Sequence, residues 1–182
     1  MSKRSWVDSL QEMVTRLERG PESRLKAGKK RPLRFAVVGI GHELRGDDAA
    51  GLVVAQRLRP FAHQHLLIVE AGHAPENHTG LLRRFNPDMV ILIDCALLNE
   101  PPGAIGWLPW QETTGLSASS HTMPPYMLAR YLTAELNTEV VLIGIQPANT
   151  ELGAPLSPQI EEAMKEIVGV VSGSLVSVNS RQ

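Results

Sequence analysis

Between residues 5 and 18 the apolar side chains Trp6, Leu10, Met13, Val14 and Leu17 fall at i, i+4, i+7, i+8 and i+11, one stripe of an amphipathic helix. Ser5, with Asp8 three positions on, marks its start. From Arg34 the texture changes to short apolar runs bounded by glycine, proline and acids. Runs at 35–40, 66–69, 89–93, 104–108 and 139–145 read as strands, the fourth the weakest and introduced by Pro101, Pro102 and Gly103. Helical spacing fills the gaps. Leu52, Val53, Ala55 and Leu58 mark one helix, 76–85 a short one, and Thr122 is expected to cap another over 123–136 with Pro124 and Pro125 in its first turn. Ser157 and Pro158 open the last helix, whose stripe is Ile160, Met164, Ile167, Val168 and Val171. Residues 109–120 read as an exposed loop, and the chain beyond about Ser172 is expected to fray.

Strands alternating with helices imply crossover connections. The expected fold is a three-layer α/β/α domain around a twisted, mainly parallel five-stranded sheet. It is expected to occupy residues 32–182, after an N-terminal helix and a basic linker at 1–31 that carries Lys26, Lys29, Lys30 and Arg31 and reads as solvated.

Composition narrows the function. The 182 residues are 43% hydrophobic and 20% charged, which suits a globular domain. Lys and Arg number 18 against 19 Asp and Glu, a formal charge of −1, so an electrostatic nucleic-acid binder is not expected. At 4% aromatic, the chain offers few platforms for stacking bases. No apolar run approaches the roughly 20 residues that cross a bilayer, and Met1 to Trp6 lacks the apolar stretch of a secretory signal. The single cysteine, Cys95, excludes an internal disulfide framework. A cytoplasmic protein is expected.

Sites in open α/β sheets gather beyond the carboxyl ends of the strands. There this chain places Gly39-Ile40-Gly41-His42-Glu43-Leu44-Arg45-Gly46-Asp47-Asp48, then Glu70-Ala71-Gly72-His73, then Asp94-Cys95, then Gly144, Gln146 and Pro147. His121 opens the helix before the last strand. The glycine loop is an incomplete dinucleotide fingerprint: Leu44 stands where the third glycine belongs. Asp47 and Asp48 would also repel a phosphate and favour a cation. Asp48, Asp94 and His121 form a donor set suited to zinc, nickel, manganese or iron. Each acid also has a structural alternative, Asp48 serving the helix dipole and Asp94 capping a turn. His42 and His73 are rim candidates for contacts to the ligands or to substrate, whereas His63, His65 and His78 are expected at the surface. Cys95 as a nucleophile is disfavoured by the adjacent Asp94. No G-x-S-x-G elbow or H-E-x-x-H is present.

The segment from Gly39 to Gly51 resembles the signature of the [NiFe]-hydrogenase maturation endopeptidases, roughly G-x-G-N-x-L-x-x-D-D/E-x-x-G. Glu70 to Asn77, Ile93-Asp94-Cys95-Ala96, Ser120-His121-Thr122-Met123-Pro124 and Gly144-Ile145-Gln146-Pro147 resemble further motifs of that family, in order; the last two look most like its formate-hydrogenlyase branch. The resemblance spans about residues 34–170. It implies a metal-dependent or aspartyl-type endopeptidase that removes a C-terminal extension from a hydrogenase large-subunit precursor. Nickel already in that precursor would be the recognition signal; another divalent metal is the alternative. Asp48, Asp94 and His121 inherit the metal-binding positions, as catalytic residues, and Asp47 is expected as their support or as a base. Two positions depart from the pattern: His42 replaces the asparagine, and Glu70 stands for a shorter acid. These departures motivate an alternative, a maturation factor that binds precursor or metal without cutting.

Overall fold

The computed structural model describes residues 5–20, 25–26, 29–112 and 123–179. Helix α1 (Trp6–Glu18) starts as expected: the Asp8 amide donates to Ser5 Oγ at 3.1 Å, and that hydroxyl donates to Asp8 Oδ2 at 2.7 Å. Two short strands, β1 (Leu25–Lys26) and β2 (Lys29–Lys30), pair antiparallel where the sequence suggested only solvated linker. Arg31 corrects that reading too. Its guanidinium grips Asp88 with both nitrogens, at 2.8 and 2.7 Å, and so anchors the entry to the main sheet.

The elements that follow are β3 (Phe35–Ile40), α2 (Ala50–Leu58), β4 (Leu66–Gly72), α3 (Thr79–Phe85), β5 (Met89–Cys95), β6 (Ile105–Pro109), α4 (Pro125–Leu136), β7 (Glu139–Ile145) and α5 (Pro158–Asn179). The sheet order is β4-β3-β5-β7-β6. All neighbours run parallel except β6, which pairs antiparallel with β7. Side-chain alternation splits each central strand between two cores. Phe35, Val37, Ile91, Ile93, Val141 and Ile143 face α1, α2 and α5. Ala36, Val38, Val90, Leu92, Val140 and Leu142 face α3 and α4. The expected three-layer architecture is therefore the observed one.

Three local readings change. Trp6, Leu10, Val14 and Leu17 of α1 lie in the same core as α2 and α5, and Trp6 Nε1 donates to Glu166 Oε1 at 2.9 Å. Helix α5 does not fray at Ser172: Leu175 continues the Ile160–Met164–Ile167–Val171 stripe and is fully buried. Helix α4 begins at Pro125, with Pro124 preceding it, rather than at residue 123; the Thr122 cap lies outside the described residues. Among the described residues no helix is long and apolar enough to cross a membrane.

Candidate active site

The order β4-β3-β5 puts a topological switch between β3 and β5, because the chain leaves β3 for one neighbour and returns to the other. In open α/β sheets such a switch, beyond the strand ends, is where a ligand crevice is expected. Asp48 follows β3 in a 3-10 turn over Gly46–Ala49, and Asp94 is the penultimate residue of β5. Two glycines seat the start of α2 on these strand ends. A Cβ on Gly39 would meet the Gly51 carbonyl and Ala55 Cβ, and one on Gly51 would meet the carbonyls of Ile40 and Ile93. The start of α2 therefore rests directly on the ends of β3 and β5, with Asp48 just before it. Gly41, at φ +147, makes the sharp exit from β3.

Asp47, Asp48 and Asp94 are all buried. A carboxylate at a helix start gains about 0.3–1 kcal/mol from the dipole. Burying one costs several kcal/mol unless compensated. Serving the dipole therefore does not account for burial at Asp48. Its Oδ2 accepts the His42 amide at 3.2 Å. Asp94 lies on the face shared with Val90 and Leu92, the side covered by α4, and its Oδ1 accepts the Cys95 amide at 2.8 Å. His121, the third expected donor, lies outside the described residues. Among the described residues no three His, Cys, Asp or Glu side chains form a group fit to hold a metal. Asp48 and Asp94 thus stand at the ends of two neighbouring strands, β3 and β5.

Asp47 is occupied in a different way. Its Oδ2 accepts the amides of Ala148 and Asn149, both at 2.8 Å, and the Ser157 hydroxyl at 2.9 Å. Its Oδ1 accepts the Ser157 amide at 2.7 Å. These four bonds clamp the loop between β7 and α5 to the turn that carries Asp48, and they set a negative charge at the N-terminus of α5. Both oxygens of Asp47 are thus engaged with the loop before α5, an arrangement that suits a structural support. Spacing marked Ser157 only as a helix cap and gave no sign of its bonds to a residue 110 positions away.

Cys95 is buried, and its Sγ donates to the Asp47 carbonyl at 2.8 Å. Burial first, then the charges of Asp94, Asp48 and Asp47, push its thiol well above the ordinary range. A buried, protonated thiol is poorly suited to nucleophilic attack.

The remaining candidates divide clearly. His42 and His73 meet at the rim with ring centroids 5.5 Å apart. Glu70 is exposed and lies 3.7 Å from Arg59. His63 is exposed and His65 and His78 are half-buried, all outside the β3–β5 crevice. Gln146 Oε1 accepts the Leu98 amide at 2.7 Å and steadies the chain leaving β5.

The family model for hydrogenase maturation proteases matches residues 53–174, a span that includes Asp94 and His121 and begins just after Asp48. A Methanocaldococcus jannaschii protein named as a hydrogenase maturation protease is 30% identical over 146 residues, 76% of this chain and 86% of its own. The hydrogenase 3 maturation protease of Escherichia coli is 24% identical over 135 residues, 74% of this chain and 86% of its own. The crystal structure of the [NiFe] hydrogenase maturation protease HycI from Thermococcus kodakarensis superposes with a TM-score of 0.73 at 31% identity, covering 79% of this chain and 93% of that one.

Proposed function

The chain belongs to the hydrogenase maturation protease family, and from that premise we propose that it is the endopeptidase that removes the C-terminal extension of a [NiFe]-hydrogenase large-subunit precursor after nickel insertion. The nickel is part of the substrate and acts as the recognition signal. The observation that carries this reading is that Asp48 and Asp94, at the ends of the neighbouring strands β3 and β5, are both buried.

In this reading Asp48, Asp94 and His121 offer two carboxylates and an imidazole to the precursor's nickel, a donor set that suits that ion. Docking through it brings the scissile bond to the strand ends. Polarisation of the scissile carbonyl or of a water beside the ion then assists hydrolysis. Asp47 holds the crevice wall in place through the loop after β7. Cytoplasmic action belongs to the same proposal.

Intact mass spectrometry of the cognate precursor, nickel-loaded and nickel-free, tests it. Loss of a C-terminal fragment from the loaded form alone is expected. Asp48→Asn, Asp94→Asn and His121→Ala should each abolish that loss while the chain remains folded. A full cleavage rate in the His121 variant would refute its assignment. An unchanged precursor mass, with nickel loading and complex formation verified, would instead favour the non-cleaving maturation factor.

A further inference from the structure

His42 stands directly beside the buried Asp48. Its amide donates to the main-chain carbonyl and to Oδ2 of Asp48, both at 3.2 Å. Its ring is held from within its own loop, because the Leu44 amide donates to His42 Nδ1 at 3.2 Å. An imidazole that accepts at Nδ1 carries its proton on Nε2. The far nitrogen is then a hydrogen-bond donor and has no lone pair for a metal. Among the described residues that N–H meets no acceptor. The His73 ring lies against the His42 ring at 5.5 Å and 35°, limiting its rotation. The two loops are tied in turn, since the Gly41 amide donates to the Gly72 carbonyl at 3.0 Å. A donor is therefore presented at the rim beside the buried Asp48. Its complement is a neutral oxygen, because a carboxylate there would be repelled by Asp48 and Asp94.

We propose that His42, braced by His73, is a specificity-determining residue whose Nε2–H donates to a peptide carbonyl oxygen of the precursor next to the carboxylate pair. This rests on the protease reading above. The interaction is gained when precursor binds, so it acts on KM more than on kcat.

Two substitutions separate the ends of the ring. His42→Asn keeps an acceptor for the Leu44 amide and removes the far donor. His42→Gln restores a donor near the position of Nε2. Cleavage of nickel-loaded precursor by the Asn variant should show KM raised about threefold to tenfold, the worth of one net hydrogen bond, with kcat within about twofold. The Gln variant should recover most of that loss. An Asn variant with wild-type KM overturns the proposal, as does a Gln variant no better than Asn. Nitrogen-15 NMR of the free, histidine-labelled protein should show His42 as the Nε2–H tautomer; an Nδ1–H tautomer overturns this proposal alone. A wild-type chain that leaves the loaded precursor intact overturns the protease reading and this one with it.

Discussion

Replacing Asp47 by alanine removes four hydrogen bonds that cross from the Asp48 turn to the loop before α5. At about 1 kcal/mol net each, the loss is about 4 kcal/mol. The three amides sit in partly buried positions where water replaces the carboxylate only in part. A domain of this size is stable by about 5–15 kcal/mol, so the variant should stay folded in the cold and melt early. At about 2–4 °C per kcal/mol, its Tm should fall by about 8–16 °C. Asparagine is the sharper probe. An amide oxygen in place of Oδ2 keeps the Ala148 and Asn149 amides and the Ser157 hydroxyl, but the amide nitrogen then faces the Ser157 N–H. A loss of about 2–3 kcal/mol is expected, from one bond broken and one donor opposed. Thermal and urea melts give the stability, and cleavage assayed well below Tm gives the chemistry. A base would behave in the opposite way, with a near-native Tm and kcat lowered about 10²- to 10⁴-fold. That result for Asp47→Asn would refute the clamp.

Other substitutions probe the rest of the frame. Gly51→Ala drives a methyl into the carbonyls of Ile40 and Ile93, so α2 must lift from the strand ends. About 1–3 kcal/mol of stability should be lost in urea melts, together with cleavage as Asp48 moves away from Asp94, and a variant of native stability and rate would contradict the close approach. Trp6→Ala should lower stability by about 3–5 kcal/mol, whereas Trp6→Phe, which loses the bond to Glu166 and part of the indole's packing, should cost about 1–2; equal losses would mean that the ring is not packed in the core. Iodoacetamide at neutral pH should label Cys95 in urea and spare it in the folded chain. Because the folded state keeps that thiol's proton to higher pH than the unfolded chain does, its contribution is complete below the ordinary thiol range and declines as pH rises from about 8. Cys95→Ala should flatten that decline, and an unchanged slope would assign it to other groups.

Elements whose signals are local were legible in the sequence. An apolar run ending at Gly39 or Asp94 is a buried strand whatever surrounds it, and the α1 stripe needs only its own spacing. The acids were legible because strand ends collect sites and two aspartates at a turn after a strand invite a cation. Features that depend on distant partners were not. The Arg31 grip on Asp88 joins positions 57 apart, and in sequence Arg31 is one cation in a basic run. The docking of α1 through Glu166 joins positions 160 apart. The antiparallel course of β6 depends on how its connections pack, which its apolar pattern does not encode.

The alternation of strands and helices, the acids at the ends of β3 and β5 and the family resemblance can all be read from one chain, because periodicity and motif order are local. How the acids divide depends on partners brought in by folding. Asp47 and Asp48 are adjacent in sequence and both buried. Only the fold turns one toward the amides of the loop before α5 and leaves the other at the β3–β5 crevice. A carboxylate's role follows from the donors that surround it, and here those donors come from the far end of the chain.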